Sequence, residues 1–157
     1  MSTFEHIFLR SDLGLIETAN EVAVLLGLEV SRDAKEDVFL SRPAADGRGG
    51  TVGGQIYRNY YAYPFEDPDE ISVIDGYNIV WDIGYTRRDP DLQLDEARRL
   101  SRQLAGAGPW AGVLLRGLDL LIAAWDAASG YHELQDGTTP DSKHQELWRP
   151  FRQPPLA

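Results

Sequence analysis

The chain has 157 residues, 43% of them apolar, and no cysteine. That length supports one domain with its own core, and the missing thiols exclude disulfides, a cysteine nucleophile and thiolate metal sites. Twenty-five acids against 15 bases give a formal charge of −10, which repels nucleic acid and anionic lipid and attracts cations and basic proteins.

No apolar run reaches the ~18 residues of a membrane span. The start, Met1 to His6, lacks the basic and apolar regions of a secretory signal. A cytoplasmic protein is the expectation.

Phe4 to Arg10, centred on Ile7, Phe8 and Leu9, reads as a first strand. Asp12 is placed to cap a helix whose inward residues are Leu15, Ile16, Ala19, Val22, Ala23 and Leu26, with Gly27 as its stop. Leu28–Ser31 and Asp37–Ser41 read as two further strands, and Pro43–Gly50 as a loop. Thr51–Ala62 reads as a strand in which Gly53 and Gly54 mark a bulge or a close backbone approach. An acidic loop, Pro64–Glu70, precedes a short strand over Ile71–Ile74. Tyr77–Tyr85 alternates, with Ile79, Trp81 and Ile83 on one face, Tyr77 a candidate for the same row, and Asn78, Val80, Asp82 and Gly84 on the other.

Asp89 and Pro90 open a second helix as N-cap and N1. Its inward stripe is Leu94, Ala97, Leu100, Ser101 and Leu104, and it ends at Gly106 to Pro109. Trp110–Trp125 starts as a strand. Its second half fits either the return strand of a hairpin about Gly117, Leu118 and Asp119 or a helix, because a continuous apolar run has no diagnostic period. Residues 1–128 are read as one α+β domain, and 129–157 as a polar extension that wraps it, anchored by Leu147, Trp148 and Phe151, with loose final residues. The predicted architecture is a mostly antiparallel sheet with two main helices packed on one face and the opposite face partly open.

Motifs for chemistry are sparse. His6, His132 and His144 lie in no nucleophile–base pattern, and His6 reads as a hydrogen-bonded strand residue. His132 with Glu133, and Asp141 with His144, put carboxylate near imidazole but without metal-ligand spacing. Gly47 to Gly50 lacks the lysine and following helix of a phosphate loop. Asp75 and Asp82 form a candidate carboxylate pair, although Asp75 and Gly76 equally make a turn and Asp82 equally belongs to a solvated strand face. No cofactor and no metal are expected, and the balance is against an enzyme.

The informative stretch runs from Asn59 to Thr86. It has no lysine or arginine but six acids: Glu66, Asp67, Asp69, Glu70, Asp75 and Asp82. With its edges it holds half of the aromatics: Tyr57, Tyr60, Tyr61, Tyr63, Phe65, Tyr77, Trp81 and Tyr85. Trp81 is expected inside. Tyr60 and Tyr61, adjacent in one predicted strand, cannot both point inward. Exposed tyrosine supplies contact area at small entropic cost, and surrounding carboxylates speed encounter with a cationic partner. The candidate partner-binding residues are Tyr57, Tyr60, Tyr61, Tyr63, Glu66, Asp67, Asp69, Glu70, Asp75 and Asp82.

Gly53-Gly54-Gln55-Ile56-Tyr57-Arg58-Asn59-Tyr60-Tyr61 followed by Ser72-Val73-Ile74-Asp75-Gly76-Tyr77-Asn78-Ile79-Val80-Trp81-Asp82 resembles a pattern of small immunity proteins, the cognate inhibitors of bacterial polymorphic toxins. The resemblance implies a role alone: non-covalent capping of a toxin domain, basic or otherwise. It transfers no binding residue. The alternative is a small-ligand-binding domain or enzyme with a carboxylate–tyrosine pocket made by Asp75, Asp82, Tyr57 and Tyr77.

Overall fold

The computed structural model describes residues 3–62 and 69–156. Its strands are β1 Glu5–Arg10, β2 Glu29–Arg32, β3 Val38–Pro43, β4 Thr51–Arg58, β5 Ile79–Tyr85, β6 Ala111–Arg116, β7 Leu120–Asp126 and β8 Gly130–Glu133. They form one sheet in the order β2-β3-β4-β5-β1-β6-β7-β8, antiparallel throughout. The helices are α1 Leu15–Leu26, α2 Pro90–Ala107 and the short α3 Gln145–Trp148. The protein is thus an α+β fold on an antiparallel sheet. Among the described residues no helix is long and apolar enough to cross a membrane.

β1 lies between β5 and β6, and Glu5 to Leu9 are all buried. Side chains alternate across a strand, so consecutive residues of β1 serve different cores. Ile7 and Leu9 join Trp81, Ile83 and Leu114 with Ala19, Val22 and Leu26 of α1 and Ala97, Leu100 and Leu104 of α2. Phe8 joins Val80, Val113 and Leu115 in a second cluster with Ile71, Val73, Tyr77, Trp148 and Phe151.

That second cluster corrects the partly open face. Trp148 has no exposed surface, its Nε1 donates to Asp141 O at 3.0 Å, and Phe151 is buried beside it. Leu147, named as a further anchor, is exposed instead. The chain after Ser129 first adds β8 to the sheet edge by pairing with β7, then crosses the second face.

Local chemistry explains most elements. Asp89 accepts from the N–H groups of Asp91 and Leu92, with Pro90 behind it, and satisfies otherwise orphaned donors at the start of α2. Gly27 ends α1 in the left-handed region at φ 66°. The N-cap of α1 is Gly14, not Asp12, and no side chain caps it. Gly53 stands at φ 131°, and a Cβ there would come within 2.0 Å of Leu40 O. The β3–β4 register is unbroken from Val38↔Ile56 to Pro43↔Thr51, so these glycines serve close approach, not a bulge. Trp110–Trp125 resolves as the β6–β7 hairpin.

Two further elements differ from expectation. Ile71–Ile74 is not a strand: a 3-10 turn occupies Val73–Gly76, closed by a capping box in which Ile74 N–H donates to Ser72 Oγ and Ser72 N–H donates to Asp75 Oδ2. Tyr77 does not join the Ile79–Trp81–Ile83 row. It lies in the second core, where its hydroxyl donates to Phe151 O at 2.6 Å.

Candidate functional site

β4 ends at Arg58, and Asn59 turns the chain. Its Nδ2 donates to Ile74 O and Tyr77 O, and its Oδ1 accepts from Tyr61 N–H at 2.9 Å. This side-chain-to-backbone turn ends the strand before Tyr60, so Tyr60 and Tyr61 do not alternate. They converge with Tyr57. Ring centroids lie 4.4 Å apart for Tyr60 and Tyr61 and 5.4 Å for Tyr57 and Tyr60. Tyr60 is 74% exposed; Tyr57 and Tyr61 are half-buried against the second core.

The three hydroxyls form a directed chain. Tyr57 donates to Asp82 Oδ1 at 2.7 Å. Its oxygen then accepts from Tyr61 at 3.0 Å, and Tyr61 accepts from Tyr60 at 3.2 Å. The same Asp82 oxygen meets His6 Nδ1 at 2.7 Å. A carboxylate only accepts, so Nδ1 carries the hydrogen. His6 and Asp82 are direct cross-strand neighbours of β1 and β5, and Tyr57 reaches Asp82 from β4. Burial, reinforced by Tyr61 and Asp82, pushes the Tyr57 hydroxyl far above the ordinary phenol range and keeps it a donor. Burial also raises Tyr61. The assembly is a rigid, hydrogen-bonded aromatic knob with one open ring face.

The other candidates are placed differently. Asp69 and Glu70 are exposed ahead of the Ser72 turn. Asp75 belongs to the capping box and does not pair with Asp82. Tyr77 has no exposed surface, so Asp75, Asp82, Tyr57 and Tyr77 do not line one open pocket. Tyr63, Glu66 and Asp67 lie outside the described residues. His132 Nε2 bonds Ser129 O, and His144 Nδ1 accepts from Thr139 N–H, which gives both imidazoles local structural partners. Among the described residues no three His, Asp or Glu side chains are grouped to hold a metal ion.

Sequence reasoning missed a cleft of about 780 Å³ on the face of the sheet that carries α1 and α2. It lies between the start of β1, the first turn of α2 and the β6–β7 turn, and Glu5, Arg88, Gln93, Arg116, Asp119 and Leu120 line it. Glu5 is 1% exposed. Its Oε2 accepts from Gln93 Nε2, which also donates to Thr3 O at 2.6 Å. Its Oε1 lies 3.5 Å from Nε of Arg116, its cross-strand neighbour on β6. Burial raises the Glu5 carboxyl despite Gln93 and Arg116. The available signal was Glu5 itself, a charge in phase with Ile7 and Leu9 on a buried strand face.

Comparison with known proteins finds no matching family model, no matching curated protein and no matching solved structure.

Proposed function

We propose that this chain is a non-catalytic protein-binding module of the immunity type, which caps a basic toxin domain in the bacterial cytoplasm through the Tyr57–Tyr60–Tyr61 knob and its acidic surroundings. One observation carries the reading: three tyrosine hydroxyls run in sequence to Asp82 and hold the Tyr60 ring 74% exposed.

A tyrosine held this way loses little rotamer freedom on binding, which is how aromatic anchors become hot spots. Among the described residues Asp82 has no lysine or arginine in ion-pair contact, only His6. With a chain charge of −10, the surface favours a cationic partner and disfavours an anionic one. The hydroxyl chain fixes the knob; it includes no nucleophile placed against a substrate cavity. The test is co-expression with each product of the genes that flank its own: growth rescue from a toxic product and a purified complex support the reading, and failure of both rejects it.

A further inference from the structure

We propose that the cleft between the start of β1, the first turn of α2 and the β6–β7 turn binds a small zwitterion, a molecule with a free ammonium and a free carboxylate, of amino-acid or short-peptide chemistry. The site lies on the face of the sheet that carries α1 and α2, opposite the tyrosine knob, and is independent of the protein-docking reading.

Charges of both signs that lack internal hydrogen bonds line this one cavity. The Arg116 side chain is one-third exposed. Its Nε faces Glu5 at 3.5 Å, and among the described residues its remaining N–H groups make no hydrogen bond. Arg88, exposed just before the N-cap of α2, likewise makes no side-chain hydrogen bond or ion pair among the described residues. Its backbone is held in the left-handed region at φ 55°, which fixes where the side chain departs. Asp119, exposed on the β6–β7 turn, carries a carboxylate with no hydrogen-bond partner among the described residues.

The mixture selects the ligand class. A simple anion would suit Arg88 and Arg116, whose planar forks match carboxylates, but would meet Asp119 and Glu5. A simple cation would meet the two guanidinium groups. A zwitterion satisfies both sides, with its carboxylate at the arginines and its ammonium at Asp119. Leu120 adds an apolar side chain to the lining. A volume of about 780 Å³ falls in the usual range for small-ligand clefts and leaves room for more than one residue. Gln93, donating to both Glu5 and Thr3 O, positions the buried carboxylate without closing the cleft.

The experiment is saturation-transfer NMR on the full chain with four probes: a pool of free amino acids, a pool of tripeptides with free termini, the same tripeptides N-acetylated and C-amidated, and inorganic phosphate. The expected result is transfer to free amino acids or free-termini tripeptides, the two arms separating the sources. Blocked tripeptides should bind at least ~10-fold more weakly, a loss of about 1.4 kcal/mol. Arg88→Gln, an exposed change that spares the fold, should weaken binding of the free-termini probes. Tyr60→Ala should leave it unchanged, which separates this site from the docking surface. The proposal is overturned if neither free-termini pool binds at millimolar concentration, if blocked peptides bind equally well, if phosphate alone competes fully, or if Arg88→Gln has no effect.

Discussion

His6 on β1 and Asp82 on β5 face each other across neighbouring strands, Nδ1 to Oδ1 at 2.7 Å, and the same oxygen holds the hydroxyl of Tyr57. One half-buried carboxylate therefore ties three strands together on the second face and anchors the tyrosine knob. Asp82→Ala leaves two donors without their acceptor. Each such loss costs about 1–3 kcal/mol, whereas Tyr57→Phe removes the bond to Asp82 and the one accepted from Tyr61 and costs about 1 kcal/mol for each. Chemical denaturation of both variants and their double mutant should give a coupling of at least ~0.5 kcal/mol. Strict additivity would mean that the chain through Tyr57 does not exist in solution.

The C-terminal segment is part of the core. Trp148 has no exposed surface and packs in the cluster with Phe8, Val80 and Phe151. Trp148→Ala should cost roughly 3–5 kcal/mol and increase proteolysis selectively beyond Glu133. Unchanged stability would place the segment off the sheet.

The tyrosines make the protein alkali-sensitive. Tyr57, Tyr61, Tyr77 and Tyr131 are raised above the usual phenol value, mainly by burial, and Tyr85 by its hydrogen bond to Asp46. A raised folded-state value means that the folded chain holds these protons more tightly. The stabilisation is complete below the unfolded value of about pH 10 and is lost as pH climbs through the folded values. Phenolate absorbance from these residues should therefore appear together with loss of the fold. Their complete ionisation near pH ~10 with the circular dichroism spectrum intact would refute the assigned environments.

Much of this fold was legible because its signals are local. Asp89 and Pro90 announce α2, Gly27 ends α1, and the alternation of Ile79, Trp81 and Ile83 marks β5. The Ser72–Asp75 spacing was also a local signal, that of a capping box, but apolar Ile71, Val73 and Ile74 gave it the look of a strand. The site was harder to read because its contacts are tertiary. His6 and Asp82 are 76 residues apart and Glu5 and Gln93 are 88 apart, so no spacing reveals them. The convergence of Tyr60 and Tyr61 depends on the turn made by Asn59, a residue that strand propensity overlooks.

Tyr60 separates binding from stability. Its ring is mostly exposed and packs on Tyr57 and Tyr61 from outside. Tyr60→Ala should change unfolding free energy by no more than about 0.5 kcal/mol and weaken partner binding by about 2 kcal/mol or more, as for an interface hot spot. Calorimetry on the purified complex reads the second quantity and thermal melts the first. A variant that binds as tightly as the parent would move the interface away from the knob.

The most direct measurement is growth rescue by the chain and its Tyr60→Ala/Tyr61→Ala variant, each co-expressed with the products of the genes that flank its own, followed by purification of any complex in low and high salt. Rescue and a salt-sensitive complex are expected with the parent chain, and loss of both with the folded variant. Absence of rescue and of any complex with the parent chain would contradict the capping role.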